Sequence, residues 1–257
     1  MRLAIIGGTG VYQLAGASGG EPEFVPTRWG VAEVRRAQMA GCEVCFLARH
    51  GVGHSIPPHR VNYRANIAAL QQLGCTAVIA TNAVGSLRTD LPAGVFVAPD
   101  QFLDLTKSRP TTFYNGDDEH GVKHVDVTDP YCGNVRRWLI EGAAEAGETC
   151  VERGTYLCAE GPRFETAAEV RLFGQWGADV VGMTGVPEVV LAREAGLCYA
   201  TLCLVTNLGA GLCDAPPSHR EVNELMDRRL PALEGILLAA VSRADDMPDC
   251  PCRRPIT

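Results

Sequence analysis

Short apolar runs alternate along the chain with stretches in which apolar residues recur at helical spacing. Runs at 3–7, 44–48, 77–81, 94–98, 155–159, 180–183 and 199–206 read as strands, and helices are predicted at 62–73, 134–146, 166–176, 187–195 and 218–242. In the first helix Ile67, Leu70 and Leu73 keep an apolar stripe, while Arg64 and Gln71 take the opposite face. Strands alternating with helices signal βαβ units, so the fold class is α/β with a largely parallel sheet. No repeat or internal boundary interrupts the pattern, and the expected organisation is one domain over 1–246 followed by a cysteine-containing tail, 247–257.

Polar residues gather just past the C-terminal ends of the predicted strands: Gly8-Thr9-Gly10, Arg49-His50, Asn82-Ala83, Met183-Thr184 and Asn207. Ligands of open α/β sheets bind at that edge, so these loops describe one site. The segment 99–129 is rich in Thr, Asp, His and Gly but poor in apolar periodicity. A stretch of that length in a compact domain is functional or belongs to an interface.

Composition narrows the classes. With 46% apolar and 21% charged residues in 257, the chain has the make-up of a globular protein rather than a disordered or fibrous one. A net charge of -7 supplies no basic field for a polyanion, which argues against nucleic acid as a partner. The first strand begins at once, with no leader pattern, and no segment approaches the roughly 20 apolar residues of a membrane helix. A cytoplasmic location and no membrane partner are expected. Eleven cysteines make an odd count, and most sit in apolar runs where a thiol acts as a small hydrophobe. Cys42 and Cys45 fall on opposite faces of a strand-like run and do not suggest a metal site. Cys250-Pro251-Cys252 reads as an exposed, frayed tail, with redox activity or pairing to another cysteine left open.

Gly7-Gly8-Thr9-Gly10 follows the first strand and lets backbone N–H groups approach an anion, with Thr9 adding a hydroxyl. A dinucleotide fingerprint would require glycine or alanine where Gln13 stands, so that reading fails. Arg49, His50, His54, His59 and Arg60 put cationic or donor groups into one loop, the equipment for gripping phosphate. Glu165, in Gly161-Pro162-Arg163-Phe164-Glu165-Thr166, either complements a helix dipole or faces a ligand.

Together with Ile5-Ile6-Gly7-Gly8-Thr9-Gly10, Leu47-Ala48-Arg49-His50-Gly51, Val61-Asn62-Tyr63-Arg64-Ala65-Asn66, Gly161-Pro162-Arg163-Phe164 and the run from Gly177 through Thr184 to Glu188, these motifs resemble the trimeric purine nucleoside phosphorylase and methylthioadenosine phosphorylase family, in that family's order and over nearly the whole chain. The resemblance implies a single α/β domain whose mixed sheet tends to a barrel, trimers or hexamers, and no metal or organic cofactor. Inorganic phosphate is then a co-substrate that splits a purine nucleoside into base and sugar 1-phosphate. By matching position, Thr9, Arg49, His50, Ala83 and Thr184 surround phosphate, and Met183 packs beneath the ribose. Glu165 and Asn207 meet the base, Phe164 and Gly209 bind substrate, and His219 meets the 5′ end of the sugar. His124 resembles a histidine lent to a neighbouring subunit. Asn207, His50 and Thr184 are the residues expected to act in catalysis.

A 6-oxopurine carries N1–H and accepts at O6 and N7, so the Glu165 carboxylate and the Asn207 amide complement inosine and guanosine. The family's 6-aminopurine members carry serine and aspartate at those places. His219 favours an ordinary 5′-hydroxyl, with a 5′-methylthioinosine or 5′-methylthioadenosine phosphorylase as the nearest alternative. A non-catalytic nucleoside-binding protein on the same scaffold is a further one.

Overall fold

The computed structural model describes residues 2–8, 21–117, 119, 121–214, 216–244 and 249–254. Its strands are β1 (Leu3–Gly7), β2 (Pro22–Thr27), β3 (Gly30–Met39), β4 (Cys42–Ala48), β5 (Ala77–Ser86), β6 (Phe96–Val97), β7 (Gln101–Leu105), β8 (Cys150–Val151), β9 (Thr155–Ala159), β10 (Val180–Gly182) and β11 (Cys198–Leu208). The helices are α1 (Tyr63–Gln72), α2 (Gly133–Glu145), α3 (Ala167–Gln175), α4 (Gly185–Glu194) and α5 (His219–Val241). Three begin where a capping side chain dictates. Asn62 and Ser218 accept from the third residue after them, and Thr166 with Glu169 forms a reciprocal capping box.

All the strands belong to one mixed sheet, in which β1/β4, β1/β5, β5/β11, β9/β10, β7/β9 and β6/β8 pair in parallel. Alternation within each strand sorts side chains onto two faces. Leu3, Ile5, Ala77 and Ile79 face α2 and α5, packing with Trp138, Leu139, Ile236 and Leu237. Ala4, Ile6, Val78 and Ala80 face α1 and α4, with Ile67, Leu70, Val189 and Leu191. Covered on both sides, the central strands read as continuous apolar runs for the reason parallel sheets usually do. Helices α2 and α5 come so close that a Cβ on Gly142 would sit 2.8 Å from the Ile236 carbonyl oxygen.

Some elements depart from the pattern expected. The 94–98 run narrows to the two residues of β6, and segment 99–129 holds β7. The β2–β3 hairpin had no apolar run to announce it, since β2 carries Pro22 and Pro26 and has one buried residue, Val25. As the sheet's edge strand it tolerates prolines whose missing N–H a central strand would need. The tail differs most: Cys250 is 5% exposed and belongs to the core on the α2/α5 face, because its thiol packs on Cys132 rather than fraying into water.

Candidate active site

The sheet forks at β5, and the fork makes the site. One edge of β5 pairs with β1 as far as Ala80, then with antiparallel β10 from Gly85, so among the described residues Thr81 to Val84 have no strand beside them on that edge. A cavity of about 430 Å³ opens there, at the C-terminal ends of β1, β4, β9 and β11. Its walls include Gly8, Arg49, His50, Asn82, Ala83 and Thr184 at one end and Phe164, Glu165, Asn207 and Gly209 toward the other, with His219 beside His54 at the mouth.

Arg49 is 1% exposed, and its Nε and Nη2 each donate to Glu188 at 2.7 Å while Nη1 donates to the Thr81 carbonyl at 2.9 Å. Burial alone would lower the guanidinium pKa, but the Glu188 carboxylate more than offsets it and holds the pKa above its ordinary value. Tyr199 donates to Glu188 at 2.7 Å and completes the pair. Three of the five guanidinium N–H groups are thus engaged among the described residues, leaving two for an anion in the cavity. Gly8 touches the same place: its N–H donates to Thr81 Oγ1, and a Cβ there would fall 2.5 Å from the Thr81 oxygen and 3.0 Å from Arg49 Nη1. Only glycine fits this approach.

His50 is buried, and its Nδ1 lies 2.8 Å from the Ile56 carbonyl oxygen. A carbonyl only accepts, so Nδ1 carries the hydrogen and Nε2 is a lone-pair acceptor. Burial first, and then the Arg49 charge, push the imidazole down to about 3, so it is neutral around pH 7. Thr184 donates its hydroxyl to Asn82 Oδ1 at 2.7 Å, and Asn82 in turn donates to Thr201. In this arrangement Thr184 also presents lone pairs to the cavity. Met183 is fixed from behind by Arg109, which is 7% exposed and donates to the carbonyls of Met183, Val186 and Glu160.

At the other end Asn207 follows a bulge. The register of β11 against β5 shifts between Val205 and Asn207, inserting Thr206, and such an extra residue re-aims the side chain after it. Thr206 shares its hydroxyl proton between Val84 O and Asn207 Oδ1, and Asn207 Nδ2 donates to Leu208 O, keeping one N–H of the amide for the cavity. Half-buried Glu165 has its pKa raised, first by burial and then by Glu169. At the mouth the rings of His50 and His54 stack at 4.3 Å, and His54 meets His219 at 5.7 Å. His54 has φ 58°, a left-handed conformation unusual for a residue with a side chain.

The structure therefore brings together Arg49, His50, Ala83, Phe164, Glu165, Met183, Thr184, Asn207, Gly209 and His219. Thr9 lies outside the described residues. His124 is exposed and does not line the cavity, and His59 and Arg60, grouped with the anion loop on sequence, turn away in a short 3-10 turn, Pro58–Arg60. Sequence reading placed Asn82 at the site without a role and missed Glu188, Thr81 and Arg109 as parts of it. Arg49 and Glu188 are 139 residues apart, so no spacing rule links them. Among the described residues the one cluster with atoms close enough to hold a metal lies away from this cavity, at the start of β11.

Residues 2–242 match the family model described as the phosphorylase superfamily, and the chain belongs to that family. It is 47% identical over 256 residues to the 6-oxopurine nucleoside phosphorylase of Pyrococcus furiosus, covering 98% of this chain and 96% of that one. It is 46% identical over 253 residues to a probable S-methyl-5′-thioinosine phosphorylase of Methanothermobacter thermautotrophicus, covering 98% and 87%. Among solved structures, methylthioadenosine phosphorylase from Schistosoma mansoni in complex with adenine superposes with a TM-score of 0.91 at 34% identity, covering 96% of this chain and 93% of that one. The α/β fold and the enzyme class expected from the sequence are those of this family. No helix among the described residues is long and apolar enough to cross a membrane.

Proposed function

We propose that the protein cleaves the N-glycosidic bond of 6-oxopurine nucleosides with inorganic phosphate, releasing the base and ribose 1-phosphate. The observation that carries this is the pairing, in one cavity, of a carboxylate (Glu165) and an oriented amide (Asn207) opposite an anion-gripping group (Arg49). Glu165 accepts from purine N1–H, and Asn207 Nδ2 donates to N7, where charge builds as the glycosidic bond breaks. Adenine would turn a lone pair toward Glu165, and an unpaired buried contact of that kind separates substrates by orders of magnitude.

Phosphate sits under the sugar against two Arg49 N–H groups, His50 Nε2 and the Thr184 hydroxyl. Two donors facing two lone-pair acceptors suit dihydrogen phosphate, whose two O–H groups meet His50 Nε2 and Thr184 Oγ1 while its anionic oxygens accept from Arg49. The phosphate oxygen then attacks the anomeric carbon as the base departs, and positioning with fixed dipoles does the catalytic work. The residues in the cavity can do this with no metal or organic cofactor. His124, beside exposed Val122, completes the cavity of a neighbouring subunit in a trimer or hexamer.

A second reading, S-methyl-5′-thioinosine as substrate, is favoured by the 5′ end: Val222 and Pro217 line the cavity beside His219 and offer an apolar wall. Phosphorolysis of inosine, guanosine, adenosine and both methylthio nucleosides by wild type and Asn207→Asp tests both. Inosine or guanosine is the expected wild-type preference, and the substitution moves it toward 6-aminopurines. A wild-type preference for adenosine or methylthioadenosine would refute the base assignment.

A further inference from the structure

Four cysteines outside the active site converge. The sulfurs of Cys132, Cys198, Cys250 and Cys252 all lie within 4.8 Å of one another, with Cys132 and Cys250 at 3.6 Å. We propose that these four thiolates hold one zinc ion, which fastens the C-terminal segment to the base of the sheet. Zinc–sulfur bonds of about 2.3 Å in a tetrahedron set sulfurs about 3.8 Å apart, so the cluster needs only small adjustments to close on the ion.

The ligands come from three places in the chain, and each is held by its backbone. Cys132 takes the N-cap of α2, where no side-chain bond satisfies the helix and unpaired N–H groups favour a thiolate. Its own N–H donates to Tyr199 O. Cys198 opens β11, with its N–H on Thr76 O. Cys250 and Cys252 flank Pro251 at the short 3-10 turn Pro251–Arg253, which is closed by Arg253 N–H on Cys250 O. Cys132, Cys198 and Cys250 are at most 5% exposed, and Cys252 is half-buried. Soft, sulfur-only, closed sites of this kind select zinc among common divalent ions and leave no open position for substrate. The four thiolates leave the site doubly negative, and Arg193 lies near enough to Cys252 to act on it electrostatically.

The role is structural. Cys198 and Asn207 stand near opposite ends of β11, which at ~3.3 Å per residue puts the ion on the order of 30 Å from the purine. Loading displaces the thiol protons to solvent, so no oxidant or reductant takes part.

The test begins with the full chain purified under reductant without chelator. Elemental analysis is expected to give about one zinc per chain. A thiol-blocking reagent should release that zinc to a colorimetric chelator as four thiols react. Stripped protein titrated with cobalt(II) should show tetrahedral thiolate absorption bands. Cys252→Ser, at the most exposed ligand, should lose most of the zinc and lower the thermal midpoint by several degrees, with kcat/KM for inosine at room temperature within about twofold of wild type. If Cys252→Ser does not fold, the wild-type zinc content and cobalt spectrum decide. Metal-free protein from zinc-supplemented cells, absence of the cobalt bands, or these cysteines mapped as disulfides would overturn the proposal. Zinc content, zinc release, the cobalt spectrum and the thermal midpoint do not depend on which nucleoside the enzyme prefers.

Discussion

At one end of the cavity Arg49 is sealed from water and fixed by three hydrogen bonds to Glu188 and Thr81; at the other, Glu165 is half-buried and the Asn207 amide is held by its two sequence neighbours. The first arrangement is part of the core. Changing it disturbs folding and anion binding together, because a buried charge without its partner is costly. The second rests on a bulge and a helix start, where a side chain can change without exposing a charge. Phosphate recognition is therefore built into the fold, whereas base recognition is open to substitution.

That contrast can be broken most forcefully at Glu188. Glu188→Ala strands the Arg49 charge and should cost about 3–5 kcal/mol in chemical denaturation. Replacing both partners, Arg49→Met with Glu188→Leu, should recover most of that stability while phosphorolysis stays absent. Activity in the folded double variant would remove Arg49 from the phosphate site. Next in size is Asn207→Ala, expected to lower kcat by about 10²–10³ through loss of the transition-state donor, with little change in the unfolding midpoint. A loss confined to KM would mean that Asn207 binds ground state and transition state alike.

A smaller effect should follow pH. Burial raises the Glu165 pKa, so as pH falls its carboxylate takes a proton earlier than an ordinary glutamate of pKa 4.5, and acceptance of N1–H is lost. KM for inosine should rise on the acid side, beginning above that ordinary value, while discrimination against adenosine narrows. Glu165→Gln should abolish this limb, and its persistence would assign it to another group. The smallest change expected is in Thr206→Val, which frees the Asn207 amide to rotate and should cost about 1 kcal/mol, or about fivefold in kcat/KM.

Much of the fold and of the cavity wall is legible in the sequence. The central strands announce themselves because burial on both faces demands apolar runs, and three predicted helices begin at Asn62, Thr166 and Ser218, which the structure shows to be their caps. Polar residues just past strand ends gave most of the cavity wall. What escaped depends on contacts between distant residues. Glu188 sits inside an apolar helix and becomes meaningful only against Arg49, and Arg109 comes from a segment with no periodicity to place it. The bulge at Thr206 leaves no mark in composition. The tail cysteines read as exposed because their partners, Cys132 and Cys198, are over 50 residues away in sequence.

The fork at β5 also bears on motion. Between Ala80 and Gly85 no strand among the described residues holds one of its edges, so bound phosphate and sugar supply there the restraint that a strand supplies elsewhere. Substrate should thus stiffen the middle of the sheet as it fills the pocket. Amide hydrogens of Thr81 to Val84 and of Gly8 should exchange with deuterium more slowly once phosphate and nucleoside are both bound, while those of the β2–β3 hairpin keep their pace.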